Sequence, residues 1–415
     1  MTSRRVFLKN GAFALVSLGF APSFLQRTAY TAGASGRAKQ LIAIFQRGAV
    51  DGLSVIVPFG EPEYYRARPS IAIPRPSAGE NAAIDLDGFF GFNPRLQPLK
   101  RFWDARQLAI IDACGSPDNT RSHFDAQDYM ETATPGNKST ADGWLNRYLQ
   151  ARKVEDATPF RAVSLTQQLP RMLQGAAPAL AMNQIGQFGI RAGQASDSVR
   201  ASFEAEFAAA ADRMLGHTGR EAFDAIKMLK AADPSKYDAE HGADYPRTPF
   251  GQALKQIAQL SKANLGLEVA FADVGGWDTH VNQGAAQGQL ATRLDDFARS
   301  IAALATDLGD RMEDTVILTM SEFGRAVSEN GNRGTDHGHG NAMIAIGGGI
   351  RGGHVYGKWP GLTADRRYDG RDLAVTTDFR DVFGEIVVRH LGATNPGAIF
   401  PGYPINPAKF PGLFA

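Results

Sequence analysis

Short, uninterrupted apolar runs recur along the chain, separated by stretches whose apolar positions fall at helical spacing. Gln40–Gln46, Leu108–Cys114, Arg161–Leu165, Leu265–Asp273, Thr315–Met320 and Asn341–Ile346 read as strands. Their apolar residues do not alternate with polar ones, which is the pattern of strands covered on both faces. Arg95–Arg106, Trp144–Arg152, Thr248–Ala263, Leu290–Leu308 and Thr377–Leu391 carry the spacing of amphipathic helices. Strand, helix, strand in succession predicts an α/β fold around a mostly parallel sheet. The Ala-rich segments Ser198–Leu215 and Arg220–Ala232 are also periodic, and they predict a surface helical insertion over about 197–263. Pro58–Pro98 and Asn395–Ala415 are rich in Pro and Gly and read as irregular.

The first apolar run has a different meaning. Ser3-Arg4-Arg5-Val6-Phe7-Leu8-Lys9 precedes Gly11–Leu25, and the small residues Ala32-Gly33-Ala34 follow. This is the pattern of a twin-arginine signal peptide over 1–34, cleaved near Ser35, which leaves 35–415 as a single domain. Pro22 interrupts the run, and it falls short of the ~20 apolar residues that a span requires. The expectation is export by the twin-arginine machinery to the periplasm or beyond, with no integral membrane span.

Composition narrows the chemistry. In 415 residues, 44 Lys and Arg balance 43 Asp and Glu, so no net field draws the chain to nucleic acid. The single cysteine, Cys114, excludes an internal disulfide and every cysteine-based metal pattern. Any ion must therefore be held by His, Asp and Glu.

Those residues collect at strand ends. Asp51 follows the first strand and His123 opens a helix after the second; Asp278 and His280 follow Gly275-Gly276 after a third. Asp336, His337 and His339 stand in the glycine-flanked loop Thr335–Gly340 beside the clearest central strand. In open α/β sheets, ligands bind outside the carboxyl ends of the strands. Seven ligands of oxygen and nitrogen type suffice for one or two divalent ions such as zinc, manganese or calcium. Thr120 and Ser122 are candidate nucleophiles at a helix start, where simple capping is the competing role. Glu322 either pairs with Arg325 or supports a metal ligand from behind, which would free Arg325 to bind an anionic substrate. Gly347–Gly352 matches a dinucleotide fingerprint, but no helix follows it, so the match is rejected. His217, His241, His354 and His390 need no function.

The twin-arginine start, Arg47-Gly48-Ala49-Val50-Asp51-Gly52-Leu53, Ser122-His123-Phe124-Asp125-Ala126-Gln127, Gly276-Trp277-Asp278-Thr279-His280, Ser321-Glu322-Phe323-Gly324-Arg325 and Gly334-Thr335-Asp336-His337-Gly338 together resemble the domain of unknown function 1501 family of exported bacterial proteins. That resemblance implies an alkaline phosphatase-like three-layer sandwich with a two-metal centre. By the same resemblance Asp51, Asp336 and His337 would share one ion, and Asp278 with His280 would serve the other. The Asp278-Thr279-His280 spacing is tighter than that superfamily's, which leaves His339 or His123 as substitutes. Cys114-Gly115-Ser116-Pro117-Asp118 departs from the Cys-x-Pro-x-Arg of formylglycine sulfatases. Asn119 stands where related phosphodiesterases have threonine. The implied function is an exported hydrolase of phosphate or sulfate esters acting on an anionic small-molecule or glycan substrate. The alternative is a non-catalytic exported protein of the same fold that binds a glycan or a protein.

Overall fold

Successive side chains leave a strand on opposite faces, and this sorts the first strand between two cores. All seven residues of β1 (Gln40–Gln46) are buried; Ile42 and Ile44 join one apolar cluster, Leu41, Ala43 and Phe45 the other. The computed structural model describes residues 15–16, 38–77, 79–152, 154, 157–185 and 237–415. Leu15–Val16 pairs with Leu180–Ala181 at one sheet edge. The rest of the expected signal peptide lies outside the described residues, as do Ser198–Leu215 and Arg220–Ala232.

The strands that follow are β2 (Leu108–Gly115), β3 (Ala162–Ser164), β4 (Leu180–Ala181), β5 (Val269–Val274), β6 (Thr315–Met320), β7 (Asn341–Gly347), β8 (His354–Tyr356) and β9 (Thr377–Asp378). They lie in the order β4-β3-β5-β1-β6-β7-β2-β8, and β9 also pairs with β2. Leu41 of β1 stands opposite Val269 on one side and Val316 on the other. Pairing among these strands is parallel except at β7, which runs against both β6 and β2. On one face α1 (Gln97–Asp104), α4 (Pro249–Lys262) and α5 (Gln289–Leu308) bury Leu99, Leu254 and Phe297. On the other, α2 (His123–Thr132), α3 (Trp144–Ala151) and α6 (Phe379–Glu385) bury Met130, Trp144 and Phe383. The result is three layers around a largely parallel sheet.

Several boundaries differ from the periodicity. β5 begins at Val269, because Asn264 and Gly266 both take left-handed φ, at 53° and 77°, and form a turn ahead of it. The last helix begins later than Thr377: Asp378 caps it by accepting from the Arg380 N–H at 2.9 Å. Residues 249–262 of the expected insertion belong to the core, since Phe250 stacks on Phe297 with ring centroids 5.8 Å apart. Within the stretch read as irregular, Gly91–Phe92 and Ile84–Asp85 pair with each other, and Gly91–Phe92 also pairs with Ile56–Val57 just ahead of that stretch, in a small antiparallel sheet.

The reversal of β7 determines where the chemistry meets. Strands β1, β2, β5 and β6 end at one edge of the sheet, and β7, running the other way, begins there. Five loops therefore converge: 47–51, 116–122, 275–283, 321–325 and 335–340.

Beside this edge β2 carries a bulge. Ile111 opposes Met343 and Cys114 opposes Asn341, so Asp112 and Ala113 share one partner position and Ala113 adopts φ 49°. Asp112 is buried, and its Oδ2 has no hydrogen-bond partner among the described residues. Burial pushes its carboxyl pKa up to about 7 against a small opposing contribution from the Ala113 N–H. Between the ordinary aspartate value and 7 the unfolded chain loses this proton while the folded chain keeps it, so stability falls as pH rises. Urea denaturation at pH 5 and pH 8 should show the unmodified protein losing about 3 kcal/mol more over that interval than Asp112→Asn.

Candidate metal centre

Two buried side chains hold the converging loops together. The Arg325 guanidinium donates to the carbonyls of Ala49 (2.6 Å), Gly48 (2.7 Å), Thr335 (3.0 Å) and Trp277 (3.1 Å), and to Asp278 Oδ1 at 2.6 Å. One planar group thus ties three loops. The carboxylate of Glu322 accepts from Gly48 N–H (2.8 Å), Gln127 Nε2 (2.9 Å) and His123 Nδ1 (2.8 Å). Its pKa is depressed: burial opposes ionisation, but the bonds from His123, Gln127 and Gly48 outweigh it. The 321–325 and 335–340 loops run side by side, with Gly324 N–H donating to His339 O at 2.9 Å and Gly338 N–H to Gly324 O at 2.8 Å. A Cβ at Gly324 or Gly338 would overlap the main chain of the opposite loop. Such close approach is why these loops carry glycine.

On this frame three imidazoles meet one carboxylate. His123 Nδ1 faces Glu322 at 2.8 Å, His337 Nδ1 the carbonyl of Arg121 at 2.9 Å, and His280 Nδ1 Asp336 Oδ1 at 3.2 Å. An ionised carboxylate or a carbonyl only accepts, so each Nδ1 carries the proton. The Nε2 atoms face inward. Those of His280 and His337 stand 3.0 Å apart and lie 2.9 Å and 3.2 Å from Asp278 Oδ1; that of His123 is 3.5 Å from Asp278 Oδ2. Protons on all three Nε2 atoms would make three adjacent imidazolium ions beside Arg325. Without those protons, the His280 lone pair accepts from Arg325 Nη1 at 3.4 Å, while those of His337 and His123 face Asp278. His123 Nε2 is buried and has no hydrogen-bond partner among the described residues. A cation at the centre resolves the arrangement. Nitrogen and oxygen donors of His123, Asp278 and His337 lie within 4.8 Å of one another and form a group able to hold a metal ion. Outward Nδ1–H bonds to carboxylate or carbonyl are the usual support of metal-binding histidines.

The imidazoles differ in proton affinity. His123 is raised, mainly by its bond to Glu322 and against burial. His337 is lowered, first by burial and then by the charges of Arg325 and His123. Asp278 is depressed although burial opposes it, because Arg325 donates to it.

The remaining expected residues go elsewhere. Asp51 is fully buried in an ion pair, with Oδ2 and Oδ1 at 2.6 Å and 2.9 Å from the Arg68 guanidinium, and it also accepts from Ser54 and Gln283. Asp51 is thus engaged by Arg68, Ser54 and Gln283 and is not in the group of His123, Asp278 and His337. Asp336 stands one step out, bonded to His280 and, at 2.9 Å, to Asn330. His339 leaves the cluster and stacks on Tyr368 at a centroid distance of 4.2 Å. The Ser122 hydroxyl caps α2 toward Asp125 N–H, and Thr120 Oγ1 accepts from Ser122 N–H. No hydrogen bond joins either hydroxyl to the cluster among the described residues. The Arg325 guanidinium is occupied by four carbonyls, Asp278 and His280, the last at 3.4 Å from Nη1 to Nε2. Gln127, the Arg121 carbonyl and Arg68 have roles that residue type alone did not mark.

An α/β chain with a His/Asp group of this kind at its sheet edge defines a class but not a reaction. Residues 106–380 match the family described as protein of unknown function (DUF1501), and the chain belongs to that family. No curated protein matches it. Among solved structures it is similar to the C-terminal periplasmic domain of EcEptC from Escherichia coli, determined in complex with Zn. That similarity has 10% identity and a TM-score of 0.33, over 75% of this chain and 74% of the other. Among the described residues no helix is long and apolar enough to cross a membrane.

Two substitutions separate support from capping. Glu322→Gln removes the anion behind His123 and should weaken zinc affinity roughly 10–100-fold in competition with a chromophoric chelator. Ser122→Ala should leave that affinity unchanged.

Proposed function

We propose that this chain is an exported hydrolase of phosphate or sulfate esters, of alkaline phosphatase-like fold, working with one divalent ion bound by His123, Asp278 and His337. The observation that carries this reading is the set of outward Nδ1–H bonds, which leaves the Nε2 lone pairs facing Asp278. Three protein donors with a position left open is the arrangement of catalytic zinc sites, and nitrogen-rich donors favour zinc over calcium. Two neutral imidazoles and one carboxylate leave a divalent ion with a surplus positive charge, which suits an anionic ester. An ion held there supplies Lewis acidity to an ester oxygen and acidifies a water.

The chain's own residues do the rest. Asp278 is 45% exposed at its side chain and His280 38%, so the cluster opens to solvent on their side. His280, with Nδ1–H held by Asp336, presents an Nε2 lone pair that takes a proton from the attacking water and returns it to the leaving oxygen. Asp336 fixes the tautomer that this requires. Thr120 and Ser122 are engaged in the loop and cap of α2, and in this reading water is the attacking group. Export through the twin-arginine route rests on the Arg4-Arg5 start and its apolar run.

The test uses metal-free full-length mature protein reconstituted with zinc, manganese or calcium. Mass spectrometry should find one ion per chain, and Asp278→Ala should lose it. On nitrophenyl phosphate, phosphodiester and sulfate esters, His280→Gln should keep its ion but lose about 100-fold or more in kcat. Two ions per chain, or none, would overturn the single-ion reading. One ion without turnover on any ester would favour the non-catalytic binding protein.

A further inference from the structure

Within the Asp336–His339 loop, His337 joins the cluster while His339 lines a cavity of its own. His339 is 7% exposed, and neither ring nitrogen has a hydrogen-bond partner among the described residues. It lines a cavity of about 790 Å³ together with Tyr368, Thr377, Asp381, Tyr403 and Phe410. This volume lies in the range of small-molecule sites.

The lining has a definite chemistry. Tyr368 stacks on His339, Tyr403 has the Arg380 guanidinium 3.8 Å from its ring centroid, and Phe410 is half-buried. Asp381 is 5% exposed; its Oδ1 accepts from the Tyr403 hydroxyl at 2.8 Å, and its other oxygen has no partner among the described residues. The Asp378 carboxylate is fully engaged by Arg380 at 2.6 Å and 2.9 Å, so that pair contributes no net charge. Lys409, which also lines the cavity, acts electrostatically on Asp381 in the direction that favours its charge. The cavity therefore offers aromatic surface, unpartnered acceptors, a histidine that both donates and accepts, and little net charge. A simple anion finds no surplus cation here. An ammonium ion would leave the acceptor and donor mixture of His339 half used. A ring bearing several hydroxyls, each both donor and acceptor, with C–H groups on its faces, uses all of these features.

We propose that this cavity binds an uncharged sugar ring, with His339 and Asp381 engaging its hydroxyls and Tyr368 and Phe410 supplying the aromatic surface. None of the residues lining it belongs to the group of His123, Asp278 and His337, and the proposal does not depend on the hydrolase reading.

Saturation-transfer NMR and calorimetric titration of the full-length mature protein with maltotriose, cellotriose and N,N′-diacetylchitobiose test it. At least one should bind saturably, and His339→Gln and Asp381→Asn should each weaken that binding about tenfold or more. Zinc content and ester hydrolysis should be unchanged in Asp381→Asn, which keeps this test apart from that of the metal centre. Should one variant fail to fold by circular dichroism, the other carries the comparison. Absence of saturable binding by all three sugars, or binding unaltered in the folded variants, overturns the proposal.

Discussion

The Arg325 guanidinium is the contact on which the rest of the site depends. Four main-chain carbonyls and one carboxylate surround it, and they come from the loops after β1 and β5 and from the loop before β7. A buried cation without such partners would be costly, and with them it fixes the loops relative to one another. It also sets the electrostatics: its charge holds Asp278 ionised against burial and lowers the proton affinity of His337. Mechanical and electrostatic roles thus reside in one residue. The buried Arg68–Asp51 pair acts in a similar way beside it, tying the Gly52–Val55 turn to the main-chain carbonyls of Ala326 and Val327.

The pattern of apolar runs carried most of the sheet. Unbroken burial of β1, β2 and β6 leaves a strand few alternatives, and each appears where its run lies. What the pattern did not carry was direction. Nothing in Asn341–Ile346 distinguishes a strand running with its neighbours from one running against them, because burial on both faces reads the same either way. Direction depends on the loop before it, where Gly338 and Gly324 permit two backbones to touch.

Site residues were legible by type and less so by role. His123, Asp278, His280 and His337 were singled out because an imidazole or carboxylate just past an apolar strand has little structural reason to be there. Asp51 met the same criterion and met a different fate: Arg68 lies in a Pro-rich stretch without periodicity, so nothing in its surroundings marked it as a buried partner. His339 shows the converse limit. It stands only two residues beyond His337, yet it stacks on Tyr368 outside the cluster, and spacing alone gave no sign of this.

Because β7 is reversed, the centre draws on segments from both ends of the described chain, and its members meet only through contacts between residues as distant as Gly48 and Glu322. Contacts of such long sequence separation form late, after much of the sheet has been assembled. No partial chain that ends before His337 contains all members of the cluster. A ligand that binds only the completed arrangement then acts as a selective stabiliser of the native state over every earlier intermediate. Occupancy of the centre is in that sense a report on whether the whole chain has folded.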